Sequence, residues 1–236
     1  MRVLSTIAKW VFMLCLPILL LGASIGGAAN SLWLYKYGLN KYEISQSLTD
    51  SGLQLSDFEI ERVYAGLISY FNSDEEYASL TVVKDSKPFN LFSPEEVIHF
   101  RDVKGLIRLD YWLSLGTLIY ILGYTGVSLL WEKRKCWRRL AWAVAGGSGI
   151  TMALMLVLFL GTLLDFSQLF YRFHLLFFSN EFWSAEGYML LLFPGGFFYD
   201  VALFCALTTT VGAIILGGVA GGYLLSTRKS NLLFLD

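Results

Sequence analysis

Histidine is almost missing from this chain, with two copies in 236 residues; cysteine is scarce at three, and charged residues make up only 16% of the sequence. Each shortage excludes something. His99 and His174 stand far apart, as do Cys15, Cys136 and Cys205, so no zinc-ribbon spacing exists. Cys15 and Cys205 fall in apolar runs, where they read as small hydrophobes, and neither a disulfide nor a metal site is expected. A net charge of −1, from 18 basic and 19 acidic residues, supplies no positive field for nucleic acid. There is no HExxH, Walker or Rossmann pattern, and the single G-x-S-x-G match, on Gly22, Ser24 and Gly26, lies inside an apolar run instead of between a strand and a helix. Metalloprotease and serine-hydrolase readings fall away. With 56% hydrophobic residues and a mean hydropathy of +0.56, the chain is also too poor in charge for a soluble enzyme, which carries about a quarter charged residues.

What the chain has in quantity is long uncharged apolar sequence. Four runs, 10–34, 113–131, 140–164 and 201–227, are free of charge and long enough to cross about 30 Å of hydrocarbon. The first also has the layout of a signal peptide, with Arg2 and Lys9 ahead of an apolar core and small residues at 22–29, but we read it as a retained span. Basic residues set the orientation. Arg2 and Lys9 precede the first span; Lys133, Arg134, Lys135, Arg138 and Arg139 fall in or beside the 132–139 loop; Arg228 and Lys229 open the 228–236 tail. Both termini are expected in the cytoplasm, and the two remaining connections, 35–112 and 165–200, outside it. These are net acidic, with 8 basic against 13 acidic residues and 1 against 4. No ionisable residue of the kind a proton relay needs falls within a span, which disfavours a pump. Ala143 with Gly147, and Gly217, Gly218, Gly221 and Gly222, have the small-xxx-small spacing of helix contacts.

The outer segments carry the remaining signals. Ser56 and Glu59 form a capping box ahead of an amphipathic helix running to Phe71, residues 77–83 have strand composition ending at Lys-Pro punctuation, and 32–44 fits helix or strand. Ser93, Pro94 and Glu96 at N-cap, N1 and N3 start a helix with Arg101, Lys104 and Arg108 on one side and His99, Asp102, Leu106 and Asp110 on the other. Segment 165–200 is aromatic and interfacial, with Phe166, Phe170, Phe173 and Phe177 in helical register beside His174. The fold expected is mainly α: a four-transmembrane-helix bundle with a small extracytoplasmic α+β domain and interfacial helices.

Both histidines fall on the outer side, one in each segment. Either they are structural, satisfied by local hydrogen bonds, or they form one acid/base site at the outer leaflet, with Asp102 at i+3 from His99 as its partner. A helix continuing straight from Ser93 into the second span would carry His99 roughly 20 Å above the hydrocarbon, so a bend at Gly105 is expected, bringing His99 toward His174 and the basic face toward headgroups.

FSPEEVIHFRDVKGL at 92–106, FYRFHLLFFSNEFW at 170–183 and LFPGGFFYD at 192–200 resemble the bacterial lipoprotein intramolecular transacylase family, as does the four-span order. Phe100 replaces a methionine of the family pattern and Glu181 an aspartate; segment 35–90 adds little to the likeness. The resemblance implies an acyltransferase that moves the sn-2 acyl chain of an S-diacylglyceryl-cysteine lipoprotein to that cysteine's own amine. It also implies no cofactor, no obligatory protein partner, and contact only with the diacylated lipoprotein and membrane lipid. His99 and His174 become the catalytic candidates, with His99 favoured as base and oriented by Asp102. Arg101, Lys104 and Asn180 become substrate contacts. Two alternatives stay open: a non-enzymatic membrane receptor or assembly subunit with a ligand-binding ectodomain, and an intermolecular acyltransferase or phospholipase.

Overall fold

In a computed structural model, which describes residues 2–84, 86–132 and 136–232, helix dominates. Lys133, Arg134 and Lys135, on which much of the orientation argument rests, lie outside the described residues. Among the described residues four helices are long and apolar enough to cross a membrane, with candidate spans at Ser5–Ala29, Pro94–Leu130, Cys136–Phe177 and Gly195–Arg228. In order along the chain the elements are α1 (Arg2–Ala29), α2 (Leu32–Lys41), α3 (Ile44–Asp50), α4 (Asp57–Phe71), β1 (Thr81–Lys84), β2 (Lys87–Asn90), α5 (Pro94–Glu132), α6 (Cys136–Phe177), α7 (Tyr188–Leu192) and α8 (Gly195–Leu232).

The chain divides into two compact units, one made of Met1–Ile25, Asp110–Leu160 and Phe204–Asp236, the other of Gly26–Leu109 and Gly161–Leu203. The first is the helix bundle. Its packing uses small residues, but only some of those the sequence marks: a side chain on Gly147 would press on Leu16, and one on Gly217 would meet Ser148, whereas Gly218, Gly221 and Gly222 face open space. A glycine outside that pattern matters more. Gly22 lies directly against the side chains of Ser114 and Asp110, where any Cβ would overlap the serine hydroxyl, and Asp110 Oδ2 is buried with no partner among the described residues. Nearby polar groups pair across helices, as where Thr209 Oγ1 donates to Ser24 Oγ at 2.9 Å.

The second unit holds most of segment 35–112 and all of segment 165–200. The 32–44 ambiguity resolves as helix, broken between α2 and α3 by Glu43 in the left-handed region (φ 48°). Ser56 and Glu59 make the expected capping box at the start of α4, with Ser56 N to Glu59 Oε2 at 2.8 Å. The strand signal at 77–83 narrows to β1, and the Lys-Pro pair expected to end it opens its partner. Thr81 pairs with Asn90 and Val83 with Pro88 in a two-stranded antiparallel ribbon. A two-stranded ribbon is all edge, so Pro88 can sit where no ladder hydrogen bond is required. The core between α2, α4 and the segment after α6 is aromatic: Tyr35, Tyr64 and Phe193 pack at ring separations of 5.4 to 6.0 Å, and Tyr64 donates to the Leu192 carbonyl at 3.1 Å.

Two long helices carry the histidines. The Ser93 N-cap and Glu96 capping box begin α5 as expected, but the bend does not occur: α5 stays helical through Gly105 to Glu132. Glycine permits a kink without causing one, and here the helix keeps its hydrogen-bond ladder. Its first residues, up to Asp110, hold seven charged side chains and the stretch from 111 to 131 holds none, so the polar end belongs outside the hydrocarbon. The break falls in α6 instead, at Asp165 (φ −162°, ψ 92°). There the carboxylate accepts from Gln168 N at 3.0 Å and caps the helical stretch that leads to His174.

Candidate active site

Helix α5 and the far end of α6 bring the two histidines of the chain together, with ring centroids 6.1 Å apart and planes inclined by 30°. Both are buried, His99 at 7% and His174 at 6% exposure. The separation is well inside the roughly 12 Å beyond which one water-bridged site cannot join them. Aromatic rings wall the pair: Phe178 sits 4.9 Å from His99 and 5.4 Å from His174, Phe170 4.3 Å and Trp183 4.7 Å from His174. The aromatic register at 166–177 therefore builds the surroundings of an imidazole as well as an apolar face.

The two rings differ chemically. His174 Nδ1 lies 2.8 Å from the Phe170 carbonyl, which accepts only, so Nδ1 carries the proton and Nε2 presents a lone pair. His99 Nδ1 is buried, with no hydrogen-bond partner among the described residues. Desolvation, assisted by the neighbouring His174, holds the His99 imidazole down at about 4, against a smaller upward pull from Asp102. Burial also lowers His174, opposed by its bond to the Phe170 carbonyl. Both rings are neutral at pH 7.

The carboxylate expected to orient His99 is engaged elsewhere. Asp102 Oδ2 accepts from Asn180 Nδ2 at 2.9 Å, and Oδ1 takes a long 3.5 Å contact from Arg101. Asn180 in turn accepts from Phe182 N at 3.1 Å, so the pair fixes the turn that follows α6. The basic side of α5 turns toward the chain, not away from it. Lys104 is only 4% exposed, donates to the Glu75 carbonyl at 2.6 Å and to Ser73 Oγ at 3.3 Å, and lies 4.1 Å from the Tyr70 ring centre. Arg108 donates to the Ser73 carbonyl at 2.6 Å and pairs with Asp74 at 3.0 Å. Arg101 remains partly exposed beside Tyr77. The structure thus brings His99, His174, Asp102 and Asn180 into one neighbourhood and puts Lys104 in a separate clamp.

Glu96 is the residue sequence reasoning undervalued, seeing in it only a helix cap. It is 1% exposed, and beyond Ser93 N it accepts from Met189 N at 2.6 Å. Burial pushes its carboxyl above the usual range. Its spacing was the available clue: Glu96, His99 and Asp102 follow one another at intervals of three on one helix. Among the described residues, no group of three or more His, Cys, Asp or Glu is placed to hold a metal ion.

These features mark a polytopic helical membrane protein with a compact second unit in which two imidazoles share an aromatic setting. Within it, residues 10–198 match the family profile of the lipoprotein intramolecular transacylase Lit, and the chain belongs to that family. The fold agrees. The structure of the membrane-integral lipoprotein intramolecular transacylase Lit from Bacillus cereus matches with a TM-score of 0.80 at 20% identity, over 98% of this chain and 100% of that one. Histidine-to-arginine and histidine-to-alanine variants of the Bacillus cereus protein each match with a TM-score of 0.73 at 21% identity, over 97% and 96% of this chain and 95% and 96% of theirs. No curated protein matches the chain. Family membership makes the chain a membrane-integral enzyme, a transacylase of lipoprotein, and removes the receptor alternative.

Proposed function

We propose that this chain moves the sn-2 acyl group of an S-diacylglyceryl-cysteine lipoprotein to the same cysteine's α-amine, using His174 as base and His99 as its neutral partner on the extracytoplasmic side of the membrane. The observation that carries the reading is the convergence of the only two histidines, 6.1 Å apart, with an unprotonated Nε2 on one. In the reaction the amine nitrogen attacks the ester carbonyl carbon and gives its proton to His174 Nε2. The tetrahedral oxyanion takes a hydrogen bond from neutral His99, which burial keeps from competing for the proton. The carbon–oxygen bond to glycerol then breaks, the imidazolium returns the proton to the departing glycerol oxygen, and an amide and a free hydroxyl result. Donor and acceptor sit in one substrate, so the protein mainly has to fold that molecule and solvate its charge.

These roles reverse the sequence-based preference for His99 as base, because the Phe170 carbonyl fixes the tautomer of His174 while His99 Nδ1 meets no partner among the described residues. Asp102 and Asn180 hold the turn beside the pair, and Arg101 at its exposed edge is the remaining contact for a headgroup. The basic residues near 132–139 and 228–236 support cytoplasmic termini with 35–112 and 165–200 outside, and spans at 10–34, 113–131, 140–164 and 201–227. Incubating the purified protein with a synthetic diacylated lipopeptide tests the reading. The product should keep the substrate's mass while its amine becomes acylated; release of free fatty acid would contradict it.

A further inference from the structure

Two carboxylates flank His99 on α5, three residues before it and three after, and each reaches across to the same stretch of chain. Asp102 takes Asn180 at 2.9 Å; Glu96 takes the main-chain N–H of Met189 at 2.6 Å. Between those anchors runs the 180–189 strap, and in its middle Trp183 lies with its ring 4.7 Å from that of His174. The Glu96 anchor is built closely. The side chain is 1% exposed, both carboxylate oxygens accept main-chain N–H groups, and Gly187 leaves it the room, since a Cβ there would overlap the carboxylate. Tyr188, beside Met189, packs edge-on against Phe89 of β2, so the strap is also held from the hairpin side.

We propose that Glu96 is a positioning residue for the transacylation: through Met189 it fixes the 180–189 strap and so seats Trp183 on His174. The inference rests on the role of His174 argued above, but the seating itself can be observed without catalysis. Glutamine has nearly the shape of glutamate yet offers one acceptor and one donor. In Glu96→Gln one of the two main-chain N–H groups therefore faces another N–H, and the anchor fails on chemistry more than on packing. A misplacement of about 1 Å costs up to about a hundredfold in rate when it disturbs a near-attack geometry.

The test is Glu96→Gln in the full-length protein in detergent micelles, read by kinetics on the diacylated lipopeptide and by nuclear magnetic resonance of isotope-labelled histidine, where two histidines give a clean spectrum. The expected result is a kcat lower by about tenfold to a hundredfold with KM changed less than about threefold, together with a shifted His174 resonance whose titration moves up toward 6.5 as the ring loses its cover. Trp183→Ala, which leaves Glu96 and Met189 in place, should move the His174 titration in the same direction. Wild-type kcat in Glu96→Gln overturns the proposal, and so does lost activity with an unmoved His174 resonance. If Glu96→Gln does not fold, Trp183→Ala decides: an unchanged His174 titration overturns it. Wild-type activity in His174→Ala would instead strike the proposed chemistry, leaving the resonance shift in Glu96→Gln as separate support for the seating.

Discussion

Lowering the pH should leave His99 neutral long after an ordinary imidazole has charged. The residue is 7% exposed, its Nδ1 has no partner among the described residues, and desolvation together with His174 holds it at about 4. At about pH 5.5 such a group is about 97% neutral, whereas one at the usual 6.5 is only about 10% neutral. The same displacement appears in stability, and its sign is fixed. A histidine with a depressed folded value leaves stability undiminished above 6.5; stability falls as the pH drops from 6.5 toward about 4, because there the unfolded chain binds the proton more readily. At about 1.4 kcal/mol per pH unit, charging His99 in place works against folding by about 3 kcal/mol. Histidine resonances followed from about pH 8 to pH 4 in micelles read the titration directly, with His99→Asn identifying the signal. A His99 that titrates near 6.5 would mean that the ring is solvated, and the case for a neutral hydrogen-bond donor beside His174 would collapse.

Three further outcomes follow from the geometry. Asp102→Asn replaces a charge-assisted bond to Asn180 and should lower kcat by about threefold to tenfold, less than loss of either imidazole, with Asn180→Ala giving a similar effect; a loss equal to that of His99→Ala in lipopeptide turnover would place Asp102 in the chemistry itself. In intact cells, a cysteine at exposed Ser184 should react with an impermeant thiol reagent and one at exposed Arg138 should not, while native Cys136 is too buried to report; the opposite pattern inverts the orientation. Gly22→Val forces a side chain into Ser114 and should cost about 1–3 kcal/mol of thermal stability, while the two histidine resonances stay in place; an unchanged Tm would show that the helices part there without strain.

Much of this was legible in the sequence because bilayer length and helix caps leave strong local marks. Uncharged runs of twenty or so residues, the Ser56 and Ser93 caps, and the acid and base sequence around His99 all act within a few residues of themselves. The parts that were not legible depend on contacts between distant segments. Gly105 looks like a bend and is not one, because an unstrained glycine follows the helix around it. Asp165 looks like a boundary charge and is a break, because its carboxylate can cap the next turn. Lys104 reads as a headgroup contact by its helical face, yet the chain at 73–75 folds back to meet it. Glu96 reads as a cap and also holds Met189, a partner no local pattern reveals. The pairing of His99 with His174 could be posed as a question from their rarity and their expected common side; the hydrogen bond that sets the His174 tautomer depends on a ring orientation that no local pattern reveals.

Two-histidine transacylation is tested by lipopeptide turnover in the wild-type protein, His99→Ala and His174→Ala, followed by mass and by fragmentation of the product's amino terminus. The expected product is an isomer of unchanged mass with the acyl chain on nitrogen, formed about a hundredfold or more slowly by either variant at normal expression. Wild-type rates in both variants, or a wild-type product lighter by one acyl chain, would contradict it.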